Sequence, residues 1–171
     1  VQAYPGIRRP GQRIQDTPAA IDINDTRGLH VAELTRDALR NMGRYIAGAK
    51  VLLAGASYRE DVGDTRYSGS ELIARKLAEM GAELRVHDPY VDHWYELESQ
   101  DTYPAPGHSW ARFFRNQKDL ADIQVQKDLA AALQGADALV LAVRHKPYLE
   151  LGPDDVVQWA GGPLSLIHIS E

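Results

Sequence analysis

From Gly28 onwards, apolar side chains fall at spacings of three and four: Val31, Leu34, Ala38, Met42 and Tyr45, with Leu39 and Ile46 widening the stripe. That period predicts an amphipathic helix over 28–48. Asp25 or Thr26 can cap its start, and Gly48 suits a left-handed stop. Residues 1–27 carry three prolines, two glycines and little periodicity, and read as an irregular arm. The stripe is wider than one neighbouring layer needs, which fits packing on a sheet or a contact with a second subunit.

Beyond that helix, short continuous apolar runs alternate with helical patterns. KVLLA at 50–54 reads as a strand buried on both faces. Residues 68–80 are helical, with Leu72, Ile73, Leu77 and Met80 on one side and Gly81 as the stop; Ser68 and Glu71 have the spacing of a capping box. ELRVH at 83–87 is a second strand, closed by Asp88-Pro89, where Asp88 is expected to cap the chain reversal. Short strands follow at 123–125, 138–143 and 164–169, with helices at 127–133 and 154–160 between them. Residues 90–122 interrupt the order as an aromatic and charged insertion with one helical turn, its Trp94, Tyr95, Tyr103, Trp110, Phe113 and Phe114 packing as a satellite cluster or as a lid. This succession predicts an α/β fold: an open parallel sheet with helices on both faces, occupying 49–171 and joined by right-handed crossovers. LSLIHISE stops where a strand would emerge, so the domain is expected to be truncated at its end, with a tail of uncertain origin at 164–171.

Composition narrows the function more than the fold. A net charge of -5 argues against nucleic acid or an anionic membrane as partner. No apolar run is long enough to span a bilayer, and no signal peptide is visible. The chain has no cysteine, which removes disulfides, thiolate metal sites and a cysteine nucleophile from its repertoire. A reducing, cytoplasmic location is the expectation.

The candidate chemistry lies between the first strand and the next helix, in ASYREDVGDTRYSGSE at 56–71. Only Gly55 stands where a dinucleotide-binding turn would place its glycine series, and the connection is too long for that turn. Arg59 and Arg66 can each grip a phosphate or carboxylate with two hydrogen bonds, and the helix start at Ser68 offers free amides to an anion. Asp61 and Asp64 can orient those arginines or contact ribose hydroxyls. A solvated loop whose charges satisfy one another fits the same residues. His87 and His93, beside Asp88 and Asp92, are a poorly specified metal candidate, and no metal ligand is assigned. His145 follows the fourth strand, where it can meet a substrate or simply decorate a loop.

The string at 50–91, KVLLAGASYREDVGDTRYSGSELIARKLAEMGAELRVHDPYV, resembles the start of the C-terminal domain of the UDP-glucose/GDP-mannose dehydrogenase family. That family's pattern runs strand, Gly-x-(Ala/Ser)-(Phe/Tyr)-Lys, Asp-x-Arg-x-Ser, helix, and a strand ending in Asp-Pro. KDLAAALQGADALVLAVRH at 127–145 is similar to its later helix and strand, and INDTRGLHVAELTRDAL at 23–39 to the end of its central helix. The resemblance covers about residues 20–163 and implies a Rossmann-like, UDP-binding domain. It further implies an enzyme that uses NAD to oxidise the C6 alcohol of a UDP-sugar to a carboxylate through a cysteine thiohemiacetal. On that basis Tyr58 and Arg59 would contact the UDP-sugar substrate, Arg66 would reach NAD held mainly by a separate N-terminal domain, and the 28–47 helix would form a homodimer contact. Arg59 stands where the family usually has lysine, Gly69 where it commonly has proline, and the family's Gly-Gly-x-Cys segment has no counterpart. No catalytic residue is therefore assigned, and the chain alone is expected to be inactive. Two other readings are a catalytically inactive module that binds nucleotide sugars or dimerises, and a flavodoxin-like domain without a sugar role, which the Asp-x-Arg-x-Ser loop does not suit.

Overall fold

The computed structural model describes residues 16–98 and 117–168. Its chain order is α1 (Asp16–Asn41), β1 (Lys50–Ala54), α2 (Gly69–Glu79), β2 (Glu83–His87), α3 (Tyr95–Glu98), a 3-10 turn (Lys118–Leu120), β3 (Val125–Gln126), α4 (Leu129–Leu133), β4 (Ala138–Leu141), α5 (Lys146–Leu149), α6 (Pro153–Ala160) and β5 (Ser165–His168). The five strands form one parallel sheet in the order β3-β2-β1-β4-β5. This is the Rossmann-like arrangement, in which the chain turns from one half of the sheet to the other between β1 and β4.

Alternate residues of each strand feed opposite cores, because successive side chains in a strand point to opposite faces. Val51 and Leu53 of β1, with Val86, Ala138 and Val140, pack beneath α1 and α2. Leu52, Ala54 and Leu139 pack with Leu133, Tyr148 and Val156 on the other face, beneath α4, α5 and α6. Such two-sided burial is why the strands read as unbroken apolar runs rather than alternating ones. Val91, Trp94, Leu97 and Leu120 join the first core and anchor the described ends of the insertion, whereas Tyr95 is exposed. Tyr103, Trp110, Phe113 and Phe114 lie outside the described residues.

Helix α1 differs from its expected span at both ends. It begins at Asp16, inside the segment read as an arm, with Pro18 in its first turn, where a missing N–H removes no helical hydrogen bond. It ends at Asn41 because Gly43 already adopts a left-handed φ of 74°, ahead of Gly48. Gly28 is not a start but a crossing point: a Cβ there would lie 3.1 Å from the Leu72 Cβ and 3.2 Å from the Gly69 carbonyl oxygen of α2. Of the predicted stripe, Val31 and Leu39 are buried, while Leu34, Met42 and Tyr45 remain exposed. The four-residue helix α5, held by Pro147 near its start, was not predicted. Among the described residues no helix is long and apolar enough to cross a membrane.

Candidate functional site

The β1–α2 connection divides into an inner, hydrogen-bonded side and an outer, charged one. At its root Gly55 has φ 102°, and a Cβ there would fall 2.6 Å from the Val143 Cβ, so the glycine allows the chain leaving β1 to touch the chain leaving β4. Asp88, fully buried at the end of β2, holds the connection down. Its Oδ2 accepts the Ala56 N–H at 2.8 Å and the Ser57 N–H at 3.2 Å, and its Oδ1 accepts the N–H groups of Tyr90 and Val91. The expected turn cap is present, and the same carboxylate also ties down the site loop. Burial pushes the Asp88 pKa up, but hydrogen bonds from His145 and from the Tyr90 and Ala56 N–H groups prevail and hold it below the ordinary carboxylate value.

His145 neither reaches into solvent nor decorates a loop. It is fully buried, and its Nδ1 accepts the Asp61 N–H at 2.8 Å. A ring nitrogen that accepts an N–H carries no proton, so in the neutral ring the proton sits on Nε2, 3.1 Å from both Asp88 Oδ2 and Ser57 Oγ. The histidine thereby links the loops after β1, β2 and β4. Asp61, at φ 55°, completes the link by accepting the Lys146 N–H. Ser68 caps α2 as expected, accepting the Ser70 N–H and donating to the Ser57 carbonyl. Glu71 does not complete the capping box. Its carboxylate turns into the protein and accepts from Arg75 Nε at 2.8 Å, both side chains being almost fully buried. Arg75 also donates to the Glu96 carbonyl, while the Glu96 carboxylate accepts from Thr65 Oγ1 at 2.6 Å. Burial pushes the Glu71 pKa up to about 7, against the pull of Arg75.

On the outer side Tyr58, Arg59, Glu60, Arg66 and Tyr67 are exposed, Tyr67 in a left-handed conformation at φ 60°. Tyr58 and Arg59 line a cleft of about 380 Å³ together with Ser57, Glu60 and the residues at the N-terminus of α2. The Arg59 guanidinium carbon lies 5.4 Å from the centre of the Tyr58 ring, close enough for a cation–π contact. Arg66 stands off this cleft with its side chain 74% exposed. Asp64 grips it through Nε at 2.9 Å and Nη2 at 2.6 Å, which lowers the Asp64 pKa to about 2 and raises that of Arg66. Asp64 therefore orients an arginine, as the loop composition suggested, and Asp61 does not. Two further arginines line the cleft that sequence reasoning missed: Arg27 of α1 and Arg144, just after β4. The available signal for Arg144 was its position at the end of an apolar strand, on the ligand edge of the sheet.

The histidine pair considered for a metal is spent on structure. His87 is buried, and burial lowers its pKa, so it is neutral at pH 7. Its ring lies 2.7 Å from the Tyr148 hydroxyl and 3.2 Å from the Lys127 carbonyl. His93 instead meets Glu98. Among the described residues no three histidine or carboxylate side chains form a metal-sized group.

A cationic cleft at the ligand edge of a parallel sheet, built on an Asp-x-Arg-x-Ser loop, can be compared directly with known proteins. The family model for the UDP binding domain of the UDP-glucose/GDP-mannose dehydrogenase family matches residues 52–166. The chain belongs to that family. It is 28% identical over 131 residues to the UDP-glucose 6-dehydrogenase of Bos taurus, covering 77% of this chain and 24% of that protein. It is 27% identical over 141 residues to the UDP-N-acetyl-D-mannosamine dehydrogenase of Yersinia pestis, covering 80% of this chain and 28% of that one. The chain thus spans about a quarter of the length of these curated relatives. Among solved structures, the NDP-N-acetyl-D-galactosaminuronic acid dehydrogenase of Methanosarcina mazei Go1 is similar in fold, with a TM-score of 0.68 at 24% identity over 91% of this chain and 27% of that one. A UDP-glucose dehydrogenase from Pyrobaculum islandicum gives a TM-score of 0.59 at 19% identity, over 89% of this chain and 28% of that one.

Proposed function

We propose that this chain forms the UDP-sugar seat of an NAD-dependent nucleotide-sugar 6-dehydrogenase, whose complete form oxidises the sugar C6 alcohol to a carboxylate. The observation that carries this reading is the cleft where β1 and β4 part, with Tyr58 and Arg59 on its wall and the N-terminus of α2 at one end. An arginine braced on an aromatic ring and free to fork two N–H groups suits a phosphate oxygen pair. The matched family model, described as a UDP binding domain, supports uridine diphosphate as the recognised group.

NAD does not fit this sheet's own switch point. The connection from Gly55 to Ser68 is a long folded loop tied down by Asp88 and His145, without the close glycine turn that admits a pyrophosphate. In this reading NAD is held by a domain outside the chain, and Arg66 meets it from this side, pre-oriented by Asp64 and exposed. Since the chain has no cysteine, the covalent step implied by the family resemblance is assigned to that other domain as well. A homodimer contact through α1 and the turn that follows it suits the exposed Leu34 on the helix and Met42 and Tyr45 just beyond it. The chain is divided accordingly into an α1 connector and the UDP-binding unit that begins at β1.

Calorimetric titration with UDP tests the seat. Arg59→Ala is expected to weaken binding roughly tenfold, the scale of one lost charge-assisted hydrogen bond. Unchanged affinity in that variant removes the substrate assignment.

A further inference from the structure

The arginines of the described residues sort into two groups. Arg36 and Arg40 share Asp37, Arg44 meets Asp137, Arg66 meets Asp64, and Arg75 meets Glu71. Arg85 is used up on the carbonyls of Ala132 and Gln134. Among the described residues, the three arginines without such a partner are Arg27, Arg59 and Arg144, and all three line the cleft. They come from three separate elements: Arg59 from the loop after β1, Arg144 from the loop after β4, and Arg27 from α1. The helices that follow β1 and β4 lie on opposite faces of the sheet, so Arg59 and Arg144 stand on opposite lips of the crevice between them. The contact between Gly55 and Val143 fixes those lips close together, one residue before Arg144.

Among the described residues, three guanidiniums against the single lining carboxylate of Glu60 leave two positive charges in excess. Unmatched like charges gathered in a concave site are unfavourable until an anion joins them, and the field there attracts one. We propose that Arg144 grips the ligand's diphosphate from the lip opposite Arg59, with Arg27 reaching it from α1 on the Arg59 side, so that the cleft selects nucleoside diphosphates over monophosphates. This rests on the reading of the cleft as a UDP seat and adds the residues that select the diphosphate. A diphosphate offers two phosphoryl groups to two lips; a monophosphate satisfies one lip and leaves the other lip's arginines unmatched.

The test is calorimetry of the 171-residue chain with UDP and with UMP, on the wild type, Arg144→Ala, Arg27→Ala, the double variant and Arg144→Lys. Arg36→Ala serves as a charge-matched control outside the cleft, and thermal melting confirms that each variant is folded. Each cleft alanine is expected to weaken UDP binding roughly tenfold, and the double variant to narrow the preference for UDP over UMP. Arg144→Lys should restore part of the loss, because it keeps charge without the fork. If Arg59→Ala weakens UDP while both Arg144→Ala and Arg27→Ala leave it unchanged, this inference is overturned and the UDP seat stands. Equal losses for UDP and UMP overturn the diphosphate selection. Absence of UDP binding by the wild-type chain overturns the seat and the inference together.

Discussion

Two sets of charged groups sit within one strand-to-helix connection and its neighbours, and they are treated in opposite ways. On the inner side, Asp88, His145, Glu71 and Arg75 are buried; Asp88, His145 and Arg75 are held by partners from distant segments, and Glu71 by Arg75 of its own helix. On the outer side, Arg59 and Arg144 are exposed and lack any acidic partner among the described residues, while Arg66 has one but keeps most of its surface in solvent. Burial accounts for the difference. A buried charge without partners costs several kcal/mol, so the inner groups are paired and serve to hold the loop. An exposed guanidinium remains hydrated and carries little cost, which leaves it available to a ligand. The inner set thus builds the platform, and the outer set is what the platform presents.

The sharpest way to break this comparison is Asp88→Ala. It strips an acceptor from four backbone N–H groups and from His145, and should cost about 4 kcal/mol, the scale of breaking a buried charged network. Urea unfolding reads that loss as a lower midpoint; a change below about 1 kcal/mol would show that Asp88 is not the latch.

The second test uses pH. Glu71 is raised from 4.5 to about 7 by burial, so the native state keeps a proton that the unfolded chain has already released. Its contribution is fully present below 4.5 and is lost as pH rises to 7, on the order of 3 kcal/mol. His87 acts in the opposite sense, because its pKa is lowered and the unfolded chain binds its proton first. Asp88, lowered overall, loses its contribution only in more acidic solution. The difference between the wild type and Glu71→Gln therefore isolates Glu71. Denaturant unfolding at pH 5 and pH 8 should show a decline in stability with pH that the variant lacks. Parallel pH dependence in the two proteins would mean that the carboxylate is charged throughout.

The smallest expected effect is on the outer side. Arg66→Ala should change stability by less than about 0.5 kcal/mol, since an exposed ion pair contributes little. A thermal shift of several degrees in that variant would place Arg66 with the platform instead.

Much of this architecture is legible in the chain itself. Apolar runs such as KVLLA and ALVL mark β1 and β4, because a strand covered on both faces must be apolar at every position. Ser68 marks the start of α2, since an N-cap depends on a side chain two residues from the amide it serves. The crowding of Tyr58, Arg59 and Arg66 into one loop likewise pointed to the site, because these residues are neighbours in sequence. Glu71 shows where local reading stops: its spacing from Ser68 fits a capping box, but a better partner, Arg75, lay one turn further along the same helix.

By itself, then, the sequence determined the alternation of strands and helices, the family resemblance and the position of the charged loop. Only the tertiary structure decided which polar groups are latches and which remain free. Asp88, Arg27 and the neighbouring pair Arg144 and His145 lie far apart in the chain and meet at the loop only because β1 runs between β2 and β4 with α1 packed above. Sequence periodicity reports whether a side chain is buried, whereas the identity of its partner follows from strand order, which no local pattern records.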